Sequence, residues 1–295
     1  MAADWKETGW NGIRFMAPAG WEPVEIGKRY LLLQDETGPV VEIKWGAIKG
    51  SFSHKTQLRD IYHLLKKQSI TDSGEIPLPP LWLESLKSYE ASGFAWSGQN
   101  VSGKGVMLFC AECGNATLIQ FYNRKLEKSD EIACRLLASF MDHPANGKST
   151  WSIFDVRAQI PEQFNLIQHR FSPGEYRISL SDGLLNVTLY RWAPASVLLS
   201  GKKLEQFAKT MGFISDNNPI YLIEESKDML EWQSGSSPLS GWSGWWQRIT
   251  RRSSVMRFRI WHETDKNRIL AIQIKGNKWS ELNILDAIAS SYESI

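Results

Sequence analysis

Hydrophobic and polar residues alternate along several short stretches of the chain, and each of these stretches predicts a β-strand. In the sequence VEIKW, Val41, Ile43 and Trp45 would share one face of a strand. Glu42 and Lys44 would share the opposite face. This period of two is typical of a strand in a sheet whose two faces differ in polarity.

The strand pattern occurs once in each half of the chain. Residues 15–45 and residues 156–192 both begin with a short strand and a proline that is followed, three positions later, by an aromatic residue. Two further strands then flank a turn with Asp and Gly, and the second strand ends on a tryptophan. The corresponding pairs are Pro18 and Pro161, Trp21 and Phe164, and Trp45 and Trp192. This internal repetition predicts a duplicated domain.

Two amphipathic helices follow in the same order in each half. Their hydrophobic residues recur every three or four positions, which gives one apolar stripe on a helix. Because such a stripe must be buried against another element, the pattern predicts an α+β fold of two tandem similar domains, each a largely antiparallel β-sheet packed with two main helices. The stripes are Leu58, Ile61, Tyr62 and Leu65; Leu204, Phe207, Ala208 and Met211; Ile132, Leu136, Leu137 and Phe140; and Leu282, Leu285, Ala289 and Tyr292.

A polar segment separates the two halves. Residues 142–150 read DHPANGKST, which is a composition typical of a connection rather than of a helix or strand. The sequence therefore predicts a first domain over residues 1–143 and a second domain over residues 144–295.

The order of elements resembles the PsbP-like fold. The resemblance depends on the step Pro18-Ala19-Gly20-Trp21, on the helices around Leu58–Leu65 and Ile132–Phe140, and on their equivalents in the second half. It implies a tandem pair of PsbP-like repeats over nearly the whole chain. That superfamily includes a photosystem extrinsic subunit, a Ran-binding nuclear import factor and bacterial chaperones of secreted effectors. The resemblance thus implies a binding module without catalytic machinery, and it transfers no functional residue to this chain.

Composition and charge narrow the class of protein. The 295 residues include 42% hydrophobic and 22% charged residues, as in an ordinary globular chain, and 14 tryptophans. A formal net charge of +2 favours neither nucleic acid nor an anionic membrane as a partner of the whole chain. Three cysteines are too few for a disulfide scaffold. With no leader-like N-terminus and no apolar run long enough to span a membrane, we expect a cytoplasmic protein.

The sequence CAECG at residues 110–114 raises the question of metal or redox chemistry. Cys110 and Cys113 have the spacing of half a zinc site, but a structural zinc ion needs four ligands. The corresponding place in the second half, residues 263–268, is a polar turn without cysteine. The sequence therefore predicts a turn at this position, no metal site and no cofactor, and Cys110 and Cys113 are the only candidates for metal ligands.

Residues 240–261 interleave tryptophans with arginines. Aromatic side chains for stacking and arginines for phosphates are typical of a surface that binds single-stranded nucleic acid. The alternation also fits a hairpin in which Phe258 and Ile260 face the core while arginines face water, so nucleic acid is the disfavoured interpretation and an acidic protein surface the better one. The candidate binding residues are Trp242, Trp245, Trp246, Arg248, Arg257 and Arg259.

No catalytic residue is predicted, because the five histidines are scattered and the motifs of nucleophilic, metalloprotease and phosphate-binding sites are missing. The segments Leu78–Trp82 and Ala193–Leu199 are more apolar than a loop needs, which indicates a contact surface. The main hypothesis is a non-enzymatic module that binds another protein or a peptide. The alternative is an enzyme or small-ligand-binding protein with its site in the cleft between the two repeats. The sequence leaves the oligomeric state open.

Overall fold

The chain divides into two compact units, Met1–Phe154 (unit 1) and Asp155–Ile295 (unit 2). The computed structural model describes residues 4–295 except 49, 51, 55, 60–69, 100, 124–128, 145, 215–219, 227, 236–254 and 279–281. The division falls later than the predicted boundary between residues 143 and 144. The reason is that residues 148–153 form a strand that pairs with the first strand of unit 1, where Gly9 faces Ser152.

Unit 1 is built mainly from antiparallel strands. They are β1 (Trp5–Trp10), β2 (Ile13–Pro18), β3 (Glu22–Gly27), β4 (Tyr30–Asp35), β5 (Gly38–Ala47), β6 (Ile70–Ile76), β7 (Glu90–Gly98), β8 (Ser102–Phe109), β9 (Asn115–Tyr122) and β10 (Lys148–Ile153). Seven of them form a sheet in the order β3-β4-β5-β9-β8-β7-β6, while β1 pairs with β2 and β10. The helices are α1 (Pro80–Ser85) and α2 (Ser129–Ser139).

Unit 2 has its own seven-stranded sheet. Its strands are β11 (Val156–Pro161), β12 (Asn165–Ser172), β13 (Glu175–Ser181), β14 (Asn186–Trp192), β15 (Ile220–Glu225), β16 (Met229–Gly235), β17 (Val255–Glu263), β18 (Arg268–Gly276) and β19 (Glu293–Ser294). The sheet order is β12-β13-β14-β18-β17-β16-β15, and β11 pairs with β19. The helices are α3 (Ala195–Leu199), α4 (Leu204–Thr210) and α5 (Ile284–Ala289).

Antiparallel sheets dominate the described residues, and helices form a smaller part. The two seven-stranded sheets also have the same strand order when the seven strands of each sheet are counted along the chain. Thus the first strand pairs with the second, and the long return places the seventh strand beside the third. The predicted antiparallel sheets are therefore present.

The described helices are shorter than the stripes predict. Residues 56–59 are helical and Leu58 is buried, but residues 60–69 of this predicted helix lie outside the described residues. In unit 2, α4 ends at Thr210, which leaves Met211 exposed, and α5 ends at Ala289. Tyr292 is buried beyond the end of α5, so a stripe can identify buried positions without the helix extending to them.

The sheet of unit 2 packs on both faces. On one face, a cluster of buried side chains joins α4 to the strands, and it includes Phe207, Trp232 and Phe258. On the other face, α5 lies over β18, and its Asp286 reaches the side chains that alternate with Phe258 along β17. A helix therefore lies on each face of this sheet, α4 on one face and α5 on the other.

Candidate functional site

Four of the six candidate binding residues lie outside the described residues. Trp242, Trp245, Trp246 and Arg248 all fall within residues 236–254, outside the described residues. Arg257 and Arg259 of β17 are the two members of the set whose surroundings are known.

Arg257 and Arg259 do not face water as the alternation predicts. Both Nε atoms donate hydrogen bonds of 2.5 Å to the carboxylate of Glu231, whose side chain is 1% exposed. Their Nη atoms bind Asp286 of α5, with distances of 2.9 Å from Arg257 Nη1 and 2.5 Å from Arg259 Nη2. The two arginines thus form ion pairs and hydrogen bonds with two carboxylates of unit 2, which neutralise their charges within the unit. Alternation identified the face that these residues share, but α5 decides that this face is covered.

Unit 1 also has an ion pair between its sheet and a helix. Lys104 of β8 forms an ion pair with Asp130 in the first turn of α2. In both units a basic residue on the sheet therefore binds an aspartate of the helix that follows it. This indicates a structural role for both pairs.

The turn between β8 and β9 holds two of the three cysteines. The Cys110 N–H donates to Asn115 O and the Gly114 N–H donates to Cys110 O, both over 2.9 Å. Gly114 has φ +71, a conformation that L side chains rarely adopt. The predicted turn is therefore present, with Cys110 buried and Cys113 half-buried.

The chain after α2 returns to this turn and brings two further ligand types. Met141 and Arg14 of β2 exchange backbone hydrogen bonds of 2.9 Å, which fixes the position of the segment. The next two residues are Asp142 and His143, and Asn115 Nδ2 donates to the backbone O of Asp142 over 3.3 Å. Residues that the sequence assigned to a connection thus lie against the hairpin.

Four side chains converge at this place: Cys110, Cys113, Asp142 and His143. One potential ligand atom of each lies within 4.8 Å of the corresponding atom of every other. Cys113 Sγ is 3.5 Å from Asp142 Oδ2, and Cys110 Sγ is 3.7 Å from His143 Nδ1. His143 Nδ1 is also 2.8 Å from Asp142 Oδ1. The sequence places Asp142 and His143 in the polar connection between the two halves, and the fold brings them to the turn that holds Cys110 and Cys113.

Surrounding groups fix the orientation of these side chains. Asn115 Nδ2 donates to Cys113 Sγ over 3.2 Å, and the Tyr89 hydroxyl donates to Asp142 Oδ1 over 3.4 Å. Glu112 Oε2 is 3.3 Å from His143 Nε2. Burial raises the pKa of the Cys113 thiol to about 12, and the charge of Asp142 also raises it. Burial, followed by the charge of Asp142, raises the pKa of Tyr89.

Nucleophilic catalysis does not fit the geometry of this cluster. A Cys–His–acid triad needs the thiol and the acid at different nitrogens of the imidazole. Here Glu112 Oε2 does lie at Nε2 of His143, but Asp142 Oδ1 contacts Nδ1 over 2.8 Å, closer than Cys110 Sγ at 3.7 Å, so Asp142 rather than the thiol is the nearer partner of Nδ1. Cys110 is also 3% exposed, so a substrate could not reach its sulfur without rearrangement. The four donor atoms instead lie within 4.8 Å of one another, close enough to bind one metal ion together.

Two short helices expose apolar side chains in the segments that the sequence singled out. In α1, Leu81 and Leu83 are exposed on either side of the buried Trp82. In α3, Val197 is 65% exposed and Leu198 is 37% exposed. Both helices therefore present apolar surface that the described part of the unit does not cover.

The described helices include none that is long and apolar enough to cross a membrane.

Neither a family model nor a curated protein matches the chain. Among solved structures, the chain is similar to the immunity protein TplEi of the T6SS from Pseudomonas aeruginosa in complex with an "L" peptide, at 10% identity over 98% of this chain and 97% of that chain, with a TM-score of 0.38. It is also similar to a structure of the Tle4–Tli4 complex, at 9% identity, 98% and 97% coverage and a TM-score of 0.34. A structure from Bacteroides thetaiotaomicron VPI-5482 matches at 14% identity with a TM-score of 0.30. The match covers 52% of this chain and 52% of that chain, which is about half the length of each.

Proposed function

We propose that the protein is a non-enzymatic module that binds another protein or a peptide through the surface of α3. The supporting observation is that α3 holds exposed apolar side chains on a fixed support. Val197 and Leu198 are exposed to solvent, while Ala195 is fully buried and Leu199 packs against the buried cluster. A helix with this division between its faces can present apolar groups to a partner without disturbing its own packing.

The first turn of α3 is held by the turn between β17 and β18. The Ala195 N–H donates to Asn267 O over 2.9 Å, and the Ser196 N–H donates to Asn267 Oδ1 over 2.7 Å. Asn267 Nδ2 in turn donates to Ser196 Oγ over 3.1 Å. Because these bonds position the helix before any partner arrives, binding would need little further ordering of the chain.

Charge next to the apolar residues indicates the chemistry of the partner. Lys202 and Lys203 follow α3 and are exposed. We name Val197, Leu198, Lys202 and Lys203 the α3 surface. Two exposed lysines that follow two exposed apolar residues within a few positions of the chain would suit a partner that offers apolar side chains and carboxylates.

Backbone pairing at a sheet edge is the less favoured mode of binding. A register shift interrupts the ladder of each outer strand of the two seven-stranded sheets, and such irregularities at an edge hinder the addition of another strand. The register shifts lie between Pro23 and Glu25 in β3, Ile70 and Asp72 in β6, Leu166 and Gln168 in β12, and Leu222 and Glu224 in β15. Binding through side chains of a helix is compatible with these edges.

Site-specific photo-crosslinking in the native cells tests the proposal. A photoreactive residue in place of Leu198 should cross-link one protein or peptide, while one in place of the exposed Ile167 of β12 should not. The identified partner is then purified, and its affinity is measured for the wild type and for the Val197→Asp/Leu198→Ser variant.

We expect the α3 variant to bind at least about tenfold more weakly, because it would bury the charge of an aspartate and remove apolar contact area at the interface. The matched control, Leu81→Asp/Leu83→Ser in α1, should bind like the wild type. Equal affinities of the wild type and the α3 variant, or an equal loss in both variants, would overturn the proposal.

We also propose that the two units arose by duplication of one α+β domain. Support comes from the identical strand orders of the two sheets and from the sheet-to-helix ion pairs Lys104–Asp130 and Arg257–Asp286. The PsbP-like resemblance, the cytoplasmic location and the alternative of a site in a cleft stay predictions. The three free cysteines favour a reducing compartment such as the cytoplasm.

A further inference from the structure

We propose that Cys110, Cys113, Asp142 and His143 bind one zinc ion in a closed tetrahedral site within unit 1. This site goes beyond the proposed function and does not depend on it. Its four donors come from two places in the chain, the β8–β9 turn and the segment after α2, which the fold brings together.

The types of donor atom select the metal. Two sulfurs, one imidazole nitrogen and one carboxylate oxygen form a mixed soft set, whereas Ca²⁺ and Mg²⁺ prefer oxygen ligands alone. Zinc binds all three donor types and favours four ligands in structural sites. The donor set therefore points to zinc rather than to a hard cation.

The spacing of the donor atoms fits a tetrahedral ion. Zn–S bonds of about 2.3 Å and Zn–N or Zn–O bonds of about 2.0–2.1 Å place a sulfur roughly 3.6 Å from a neighbouring nitrogen or oxygen. The observed separations are 3.5 Å from Cys113 Sγ to Asp142 Oδ2 and 3.7 Å from Cys110 Sγ to His143 Nδ1. With Asp142 Oδ2 as the ligand oxygen beside Cys113, the 2.8 Å contact between His143 Nδ1 and Asp142 Oδ1 would be replaced by metal bonds from Nδ1 and Oδ2, which a tetrahedral ion holds roughly 3.4 Å apart.

Neighbouring groups provide the support that a metal site needs. A histidine that binds zinc through one nitrogen commonly donates its other N–H to a carboxylate. The Glu112 carboxylate lies at Nε2 of His143, which leaves Nδ1 directed toward the cysteines. The Asn115 amide donates to Cys113 Sγ and the Tyr89 hydroxyl to Asp142 Oδ1, so a thiolate and a carboxylate would both have hydrogen-bond donors.

The arrangement favours a structural metal over a catalytic one. Four protein donors would complete the tetrahedron and leave no position for water or substrate. The ion would join the tip of the β8–β9 hairpin to the segment that leads from α2 to β10. Its effect would be to fix the path of the chain at this end of unit 1.

Metal analysis of the full-length protein tests the site. The chain is purified under reducing conditions without chelator, dialysed against zinc and then against buffer, and its metal content is measured. We expect about one zinc per wild-type chain. Cobalt(II) in place of zinc should give the intense visible bands and the sulfur-to-metal charge transfer of a tetrahedral thiolate site.

Variants locate the ion. Cys113→Ser and Asp142→Asn should each weaken zinc binding at least about tenfold. Asn115→Ala should weaken it about tenfold, because the hydrogen bond from the Asn115 amide to Cys113 Sγ is lost. Cys134→Ser is the matched control, because Cys134 of α2 contacts Ser85 and lies outside the cluster, and it should bind like the wild type.

Less than about one tenth of a zinc per wild-type chain, or unchanged zinc affinity in folded Cys113→Ser, would overturn the proposal. An octahedral cobalt spectrum of the wild type would also overturn it, and this measurement does not depend on the folding of any variant.

Discussion

Arg257 Nη1 of β17 donates a hydrogen bond of 2.9 Å to Asp286 Oδ2 of α5, and this contact ties the last helix of unit 2 to its sheet. The side chain of Asp286 is partly exposed, whereas that of Glu231, which also binds Arg257, is buried. The two acids of this network should therefore differ in their contributions to stability.

Asp286→Asn should lower the free energy of unfolding by about 1 kcal/mol, because it removes the charge that α5 offers to two arginines. Urea denaturation followed by circular dichroism measures the change. Glu205→Gln is the control, since Glu205 pairs with Lys209 on the exposed face of α4 and its loss should cost at most about 0.5 kcal/mol. Equal losses in the two variants would contradict the prediction.

The contribution of Asp286 should depend on pH. Burial alone would raise the pKa of Asp286, but hydrogen bonds and charges from Arg257 and Arg259 outweigh it and lower the pKa below its ordinary value. A lowered pKa stabilises the folded state above the unfolded pKa of about 3.9, and this stabilisation is lost as the pH falls through the folded pKa. The difference between wild type and Asp286→Asn should thus be constant from about pH 5 to 7 and shrink below about pH 4. A difference that is unchanged at about pH 2 would show that charge is not its cause.

Glu231→Gln should be more damaging. Among the described residues, it leaves Asp286, which is partly exposed, as the only counter-charge of Arg257 and Arg259, and breaking a buried ion pair costs about 3 kcal/mol. Chemical denaturation gives the value. Glu225→Gln on the neighbouring strand β15 is the control, because Glu225 is exposed and its change should be within about 0.5 kcal/mol. The prediction fails if both variants unfold at the same urea concentration.

Gly105→Ala should destabilise unit 1 by about 2 kcal/mol, because there is no space for a methyl group between the strands and the aromatic side chains. A Cβ at Gly105 would lie 2.5 Å from both Ile119 O and Phe94 Cζ. Gly74→Ala of β6 is the matched control, since nothing lies within 4 Å of its Cβ and its effect should be within about 0.5 kcal/mol. A neutral Gly105→Ala would mean that β7 and β8 are less closely packed than described.

Zinc should stabilise unit 1 if Cys113 and its neighbours bind it. Free zinc at about 100 times its dissociation constant would add about 2.7 kcal/mol to the free energy of unfolding, because the unfolded chain does not hold the four donors together. Thermal unfolding with and without chelator measures this shift. Cys113→Ser should unfold at the same temperature under both conditions, and a chelator effect of equal size in that variant would contradict the assignment.

Local pattern was sufficient for several features of the fold. The alternation in residues 41–45 correctly predicted a strand, and the sequence CAECG correctly predicted a turn, because strand period and turn chemistry depend on neighbouring residues. Alternation also showed that Arg257 and Arg259 share one face of their strand. These are properties of a few consecutive residues, so the sequence by itself determines them.

Only the tertiary structure decided what covers each face and which distant residues meet. Asp286 approaches Arg257 from a helix 29 residues away in the chain, so the period of β17 contains no sign of it. Likewise, Asp142 and His143 are separated from Cys113 by all of β9 and α2, and they reach it because Met141 pairs with Arg14 of β2. Contacts between such distant residues depend on how sheets and helices pack, and this information is distributed over the whole chain rather than present in any one segment.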